Sequence, residues 1–274
     1  MPGNVIRADL QFHPFDKAGY GLYEILTKME EKGIDILGCL VYLWDRRVSF
    51  SSLQISRKVK RYYEFEPKNN VFSFLNKETG RILHIIFGQE LAPPDQKWHF
   101  LALGVLGLKL RNTPCQIIDE VLDKGGLFIF DHPFADPQKW FAHIPKSKNK
   151  ELYRICNKYR GEMALEWNGY SPSYIRRLLP GYWNTNEETV WLGKNFNIPV
   201  VPTTDTHAVS KKALNAIGCC HIEIPASDMD LDILASLKEN IFNFNFKARC
   251  RTVSFFHLFR SFIAPYLRNK IAAK

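Results

Sequence analysis

The chain lacks an apolar run long enough to cross a membrane. Its first segment, MPGNVIRADLQFH, has no apolar stretch of signal-peptide length. No other run approaches the roughly twenty apolar residues that span a bilayer. With 274 residues, 46% of them hydrophobic, the chain can bury one barrel-sized core or two smaller ones. These features predict a folded, soluble, cytoplasmic protein.

Paired cysteine motifs are also lacking. The six cysteines show no CxxC spacing, and a core of this size needs no disulfides. The adjacent Cys219 and Cys220 could in principle bind a metal, but AIGCCHIEI is typical of a strand, in which neighbouring side chains face opposite sides. We expect reduced cysteines that are mostly buried.

Acidic residues are absent from the C-terminal part of the chain. From Asn240 to the end there are seven Lys and Arg, whereas the whole chain carries a net charge of +9, so residues 1–239 are nearly neutral. This distribution argues against a nucleic-acid footprint over the whole surface, and the chain has no clear aromatic and basic recognition module. A basic tail can nevertheless attract phosphates or an anionic membrane.

The sequence does contain a regular alternation of strand-like and helical segments. Apolar runs such as DILGCLVYL, HFLALGV, GGLFIFDHP and IPVVPTTDTH alternate with helical stretches such as GLYEILTKMEEKG and NEETVWLGKNF. A hairpin is predicted within YYEFEPKNNVFSFLNKETGRILHIIFGQE. This rhythm predicts an α/β fold whose mostly parallel sheet is closed or nearly closed, with helices outside.

Polar residues of metal-ligand type lie at the ends of several strand-like runs. In VVPTTDTHA, residues 200–208, Asp205 and His207 lie on one face because side chains alternate along a strand. The same letters also fit an ordinary strand end followed by a helix cap. In a parallel barrel the carboxyl ends of all strands meet on one face. Candidate partners there are Gln11, His13, Asp16, Glu90, His99 and His132.

Seven motifs, in this order, resemble the PHP superfamily, which is named for its members in DNA polymerases and histidinol phosphatase. The chain has DLQFH where the family has DLHxH, GIDILGCLVY for GLDxxxxTDH, GQE for GxE and HFLALG for HxxxxG. It continues with DHP for AHP, EWNG for ExxNG and TDTH for SDxH. The match covers roughly residues 5–225, and the chain looks closest to the small stand-alone phosphoesterases of this group.

The resemblance implies a distorted (β/α)7 TIM-like barrel of the PHP type, which hydrolyses phosphoesters with metal ions at the carboxyl ends of its strands. It implies that Glu90 bridges two ions, one held with His99 and His132 and the other with His13 and Asp205. The full ligand set it implies is His13, Glu90, His99, His132, Asp205 and His207.

Catalysis is expected to depend on Glu90, Asp205 and His207. The expected cofactors are divalent Mn, Zn or Fe ions, one or two rather than three, because the chain departs from the family pattern. Gln11 replaces the first His of the paired motif and offers only a weak carbonyl ligand. Val41 and Tyr42 replace the Asp and His of the second motif.

Other residues are predicted near the substrate or behind the ligands. Asp16 is a second weak ligand candidate, which follows His13 by fewer residues than the usual acidic position of the family. Arg46 and Arg47 either contact phosphate or form a solvated basic turn. The remaining candidates are Tyr42, a hydrogen-bond donor, and Glu166 and Asn168, which orient ligands or substrate.

Two functions fit these observations. The first is a metal-dependent phosphoesterase whose metal-activated water attacks a phosphate ester of a nucleotide, a sugar or a nucleic-acid end. The second is a catalytically inactive PHP-like binding or regulatory protein with a degraded metal site, which the changes at positions 11, 41 and 42 favour.

The C-terminal part requires a separate interpretation. Residues 1–240 are predicted to form the barrel and residues 241–274 a basic amphipathic segment, in which Phe255, Phe259 and Phe262 share one face of a helix. The segment either packs on the flank of the barrel or contacts an anionic membrane or a protein partner.

Overall fold

One large sheet curls into a nearly closed barrel in the computed structural model. The structure describes residues 5–42, 48–93, 98–109, 113–136, 142–143, 149–169 and 185–251. Within these ranges the sheet has twelve strands, and β8 (Ala135–Asp136) and β9 (Ala142–His143) form a separate pair. The twelve are β1 (Val5–Pro14), β2 (Ile36–Tyr42), β3 (Tyr63–Lys68), β4 (Val71–Asn76), β5 (Ile82–Leu91), β6 (His99–Leu103), β7 (Leu127–Asp131), β10 (Met163–Asn168), β11 (Val200–Thr203), β12 (Thr206–Ala208), β13 (His221–Pro225) and β14 (Lys247–Arg249).

Six α-helices are described with these strands. They are α1 (Leu22–Lys32), α2 (Arg57–Tyr62), α3 (Pro114–Asp123), α4 (Lys150–Lys158), α5 (Thr185–Phe196) and α6 (Ile233–Phe242). Their limits follow local chemistry. The Thr113 side chain accepts a hydrogen bond from the Gln116 amide in front of α3, and α1 ends at Gly33, whose φ of 69° is left-handed. None of the helices in the described ranges is long and apolar enough to span a bilayer.

The sheet is mixed, and the expectation of a mostly parallel sheet is wrong in this respect. Its strand order is β11-β10-β7-β6-β5-β2-β1-β13-β14, with β12 beside β1 and the β3–β4 hairpin beside β5. Strand β6 runs antiparallel to both of its neighbours, β5 and β7. The terminal strands β11 and β14 contact each other, which brings the barrel close to closure. The predicted hairpin before β5 and the barrel architecture are confirmed.

Apolar layers fill the barrel and cover it. Leu10, Leu40 and Ile86 belong to a buried cluster drawn from the inward faces of the strands, to which α6 adds Leu237 and Ile241. Two further clusters lie under the outer helices. Strands approach closely at Gly88, where a Cβ atom would come within 2.3 Å of the Ala102 carbonyl oxygen.

A bulge in β1 decides which of its residues reach the barrel mouth. The pairing register of β1 with β2 shifts between Asp9 and Phe12. Before the shift Ala8 packs inside the barrel, as does Leu10 within it, and after the shift Phe12 packs in an outer cluster. The bulge therefore reverses which side chains of β1 face inward, and His13 lies on the inner side of the sheet.

The described part of the C-terminal segment is continuous with the barrel. The domain boundary predicted at residue 240 lies inside α6, and β14 pairs antiparallel with β13. Residues 252–274, with the predicted amphipathic helix, lie outside the described residues. The division into two parts stays a prediction.

Candidate metal centre

The first group of clustered ligand atoms lies where β1 meets the segment after β11. His13, Asp205 and His207 each offer one ligand atom, and these atoms lie within 4.8 Å of one another. Asp205 Oδ1 is 3.3 Å from His13 Nε2 and 3.2 Å from His207 Nε2. The pairing of β1 with β12 sets His13 directly opposite His207. Two imidazoles therefore converge on one carboxylate oxygen.

A second group lies at the adjoining ends of β6 and β7. His99, Asp131 and His132 also bring their ligand atoms within 4.8 Å of one another. Because β6 runs antiparallel, its first residue, His99, pairs with Asp131, the last residue of β7. His132 Nε2 lies 3.1 Å from Asp131 Oδ2. The reversal of β6 thus brings the start of one strand to the edge where its neighbours end.

Glu90 joins the two groups. It lies near the end of β5, only 2% exposed. Its Oε1 is 2.6 Å from His99 Nδ1 of the second group, and its Oε2 is 3.2 Å from His13 Nε2 of the first. One carboxylate therefore reaches both groups, which is the geometry of a ligand shared between two ions.

The backbone is in the left-handed region at one ligand of each group. His132 has a φ of 27° and Asp205 a φ of 54°. A residue other than glycine in this region costs about 1–3 kcal/mol and persists only where its surroundings hold it. Glu166 Oε2 accepts a hydrogen bond of 2.9 Å from the His132 amide. Asn168 Nδ2 donates to Asp205 Oδ2 at 3.0 Å.

Glu166 and Asn168 thus connect both groups from β10. Asn168 Nδ2 also lies 3.2 Å from Glu166 Oε2. The Asn168 backbone is fixed by Asn186, which exchanges two hydrogen bonds of 2.9 Å with it. The Thr203 hydroxyl contacts both Glu166 Oε1 and Gln11 Oε1, and its single proton can be donated to only one of them.

Burial dominates the titration of the carboxylate and imidazole groups. Desolvation, and then the Asp205 carboxylate, raises the pKa of Glu90 to about 8. Desolvation lowers the pKa of His13 to about 4 and that of His99 well below its usual range, so both imidazoles are neutral near pH 7. Neutral imidazole is the form that binds a metal.

Asp205 and His207 form an exception, because each favours the charged form of the other. Burial alone would raise the pKa of Asp205, but the adjacent imidazoles of His207 and His13 hold it well below its usual range. Burial would lower the pKa of His207, but Asp205 raises it. Burial also raises the pKa values of Asp131 and Glu166 well above their usual ranges. Asp131 adds to the upward shift in the pKa of Glu166, whereas a hydrogen bond with Glu166 lowers the pKa of Asp131.

Three carboxylate oxygens indicate that a cation fits here. Glu90 Oε2, Asp131 Oδ1 and Asp205 Oδ1 are buried and accept no hydrogen bond. Imidazole nitrogens approach two of these oxygens, but without hydrogen-bond geometry. Buried carboxylate oxygens without donors are costly, and divalent ions bound by imidazole and carboxylate would satisfy them.

Of the other predicted site residues, Gln11 and Tyr42 contact the two groups, whereas Asp16 does not belong to either. Gln11 Nε2 faces Asp131 Oδ2 at 3.4 Å and His13 Nε2 at 3.5 Å. The Tyr42 hydroxyl lies 3.3 Å from His207 Nδ1, and its ring packs 4.5 Å from that of His13. Asp16 accepts a hydrogen bond from Ser49 and joins neither group. The predicted phosphate contacts Arg46 and Arg47 lie outside the described residues.

Sequence reasoning missed Asp131 and Thr203. Asp131 precedes a histidine at the end of a strand, where regular alternation would turn its side chain away from the site. Its presence in DHP, where the family pattern has alanine, was the available signal. Thr203 lies inside an apolar run, and no pattern in the sequence distinguishes it from a residue that only fills the core.

Comparisons with known proteins bear on the fold. No family model and no curated protein matches the chain. Among the solved structures that are similar are a two-domain protein from Bacteroides vulgatus containing a predicted PHP-like metal-dependent phosphoesterase, and PsfC from Pseudomonas syringae.

The similarity to the first extends over 91% of this chain and 66% of that one, just under two thirds of its length, with 15% identity and a TM-score of 0.56. The similarity to PsfC extends over 98% of this chain and 99% of that one, with 11% identity and a TM-score of 0.52. The chain therefore has a mixed α/β barrel fold of the PHP type, as its motifs predict.

Proposed function

We propose that this chain is a metal-dependent phosphoesterase with a two-ion centre. The observation that carries the proposal is the position of Glu90, which contacts an imidazole of each ligand group through a different oxygen. The two-domain protein from Bacteroides vulgatus, which shares the fold, contains a predicted PHP-like metal-dependent phosphoesterase. Manganese, zinc and iron(II) all suit this ligand chemistry.

The chain would hold one ion with His13, Asp205 and His207 and a second with His99 and His132, and Glu90 would contact both. When bound, such ions supply an activated water and neutralise charge on phosphoryl oxygens. The residues around them exclude bulk water, because His13 is fully buried and Glu90 is nearly so. Tyr42 stands at the open side beside His207 and would donate a hydrogen bond to a phosphoryl oxygen.

The substrate is a phosphate ester of a nucleotide, a sugar or a nucleic-acid end, and nothing in the centre itself selects among these classes. The basic residues after Asn240 favour a polyanionic partner. Arg46 and Arg47, if they contact phosphate, would orient the ester over the ions.

Gln11 and Tyr42 favour a second function. These residues stand where the family pattern has histidine, and a centre deprived of those imidazoles can bind a metal without catalysing hydrolysis. Under this alternative the protein is a metal-loaded binding or regulatory module.

The test combines metal content with hydrolysis. Protein purified without chelator is loaded with Mn²⁺, desalted and assayed on nucleotides, sugar phosphates and short oligonucleotides with terminal phosphates. We expect Glu90→Gln and Asp205→Asn each to lower the rate by at least about 100-fold, because losing a ligand should cost no less than the roughly 10- to 100-fold lost with the hydrogen-bond partner of a ligand. The control Glu66→Gln changes an exposed carboxylate in β3 and should keep full activity. A wild-type protein that binds metal but hydrolyses nothing would favour the binding module.

A further inference from the structure

Asp131 and His132 present ligand atoms to the same point although they are consecutive in the chain. In a regular strand their side chains would face opposite sides of the sheet. The left-handed backbone of His132, with a φ of 27°, breaks this alternation just where β7 ends. As a result Asp131 Oδ2 lies 3.1 Å from His132 Nε2.

One oxygen of the buried Asp131 carboxylate has no hydrogen-bond donor beside it, and the Glu166 carboxyl lies close enough to share a proton with Asp131. Asp131 is 1% exposed, and its Oδ1 accepts no hydrogen bond. Gln11 Nε2 faces its other oxygen, Oδ2, at 3.4 Å. Keeping a buried carboxylate oxygen unpaired costs free energy unless something else binds it.

With Asp131 included, the two groups have the same composition. The first consists of His13, His207 and Asp205, and the second consists of His99, His132 and Asp131. Each group has two imidazoles and one aspartate, and Glu90 contacts both. Gln11, a neutral amide, lies between them and donates towards Asp131.

We infer that Asp131 is a metal ligand, and that it completes a second subsite equal in ligand type to the first, so that the centre holds two like ions. This inference rests on the metal centre of the proposed function, and it adds to that proposal a ligand that the family pattern does not contain. A carboxylate in each subsite favours ions such as Mn²⁺ that accept oxygen ligands.

The test measures metal stoichiometry directly. Wild type, Asp131→Asn and Asp205→Asn are loaded with Mn²⁺, desalted, and analysed for bound metal by mass spectrometry of the element. We expect two ions per chain in the wild type and one in each single variant. The exposed control Asp123→Asn, at the end of α3, should keep two.

Electron paramagnetic resonance adds a readout that does not depend on activity. Two Mn²⁺ ions that share Glu90 should be magnetically coupled in the wild type, whereas Asp131→Asn should give the six-line signal of an isolated ion. Asp131→His restores a ligand without a charge, so it should regain the second ion. If Asp131→Asn fails to fold, the stoichiometry of Asp131→His decides the question.

The possible failures separate the two proposals. If Asp131→Asn keeps two coupled ions, Asp131 is no ligand, and this inference is overturned while the proposed function stands. If Asp131→His holds only one ion, the aspartate acts through its charge on other groups and the inference fails in the same way. A wild-type protein with no bound metal would overturn the proposed function and the inference together.

Discussion

At the scale of single residues, the proposed metal centre includes groups that contact candidate ligands without being candidate ligands themselves. Asn168 is the clearest example. Its Nδ2 donates to Asp205 Oδ2 and lies within reach of Glu166, which in turn accepts from the His132 amide. We therefore propose Asn168 as a positioning residue, because its hydrogen bonds connect the left-handed turns at His132 and Asp205.

We expect Asn168→Ala to weaken Mn²⁺ binding by about 10- to 100-fold, the usual effect of losing the hydrogen-bond partner of a metal ligand. Titration calorimetry on the metal-free protein measures this directly. Asn195→Ala, at an exposed position of α5, is the matched control and should bind as the wild type does. Equal affinity in both variants would mean that Asp205 keeps its orientation without Asn168.

Glu90 makes metal binding dependent on pH. Burial raises its pKa to about 8 in the metal-free protein, against an ordinary value of 4.5. Between these values the unfolded chain loses the proton while the folded chain retains it, so Glu90 makes the metal-free fold less stable as the pH rises through this range. A bound ion requires the ionised form and must displace the proton.

The affinity for Mn²⁺ should therefore increase with pH by up to about tenfold per unit below pH 8 and level off above it. Calorimetry in buffers of different ionisation enthalpy measures the protons released on binding, of which Glu90 is expected to contribute about one. Affinity that does not vary between pH 6 and 8 would mean that Glu90 is already ionised in the metal-free protein.

At the scale of elements, the tight contact between β5 and β6 holds a ligand-bearing pair of strands together. A Cβ at Gly88 would lie 2.3 Å from the Ala102 carbonyl oxygen, and Gly88 precedes Glu90 on the same strand. Backbone atoms cannot give way as a flexible side chain can. Any side chain at this position therefore forces the two strands apart.

Gly88→Ala should lower the free energy of unfolding by about 1–3 kcal/mol or more, the usual cost of overpacking. Urea denaturation measures the change. Gly19→Ala is the control for replacing a glycine without crowding. Gly19 has a left-handed backbone, with a φ of 75°, but no other atom would lie within 4 Å of the added Cβ. This substitution should cost about 1–2 kcal/mol from backbone strain alone. Unchanged stability in Gly88→Ala would contradict the close packing of these strands.

The elements also indicate how far the sequence alone could predict this molecule. Helices α3 and α5 and the hairpin before β5 were predictable because apolar periodicity and turn residues mark them locally. The reversal of β6 was not, because an apolar run of five residues carries no direction. His99 and Glu90 could be recognised as candidate ligands by residue type. Asp131 could be recognised only once the φ of His132 was known, and that angle depends on tertiary contacts such as the one from Glu166.

At the scale of the whole molecule, the barrel is complete in the residues described up to Arg251. Strands β11 and β14 contact each other, and the Arg251 carbonyl accepts a hydrogen bond from the Cys220 thiol. Removal of residues 252–274 should therefore leave a folded barrel with unchanged metal content. Circular dichroism and metal analysis of the truncated chain check this, and insolubility after truncation would mean that the segment belongs to the core.

The same truncation separates the two interpretations of the basic segment. If residues 252–274 bind an anionic surface, the full chain should float with phosphatidylserine vesicles and the truncated chain should not. The interaction should weaken as salt rises, because charges near a surface are screened. Equal flotation of both chains would assign membrane binding to the barrel or exclude it.

The two ligand groups differ in how far apart their residues lie along the chain. The second group, His99, Asp131 and His132, falls with Glu90 within a stretch of 43 residues. In the first group, His13 lies near the start of the chain, whereas Asp205 and His207 lie far along it. A ribosome adds about 5–20 residues per second, so the stretch from Glu90 to His132 is synthesised several seconds before His207. If both groups bind ions as proposed, the residues of the second group are therefore available to a folding chain before the first group is complete.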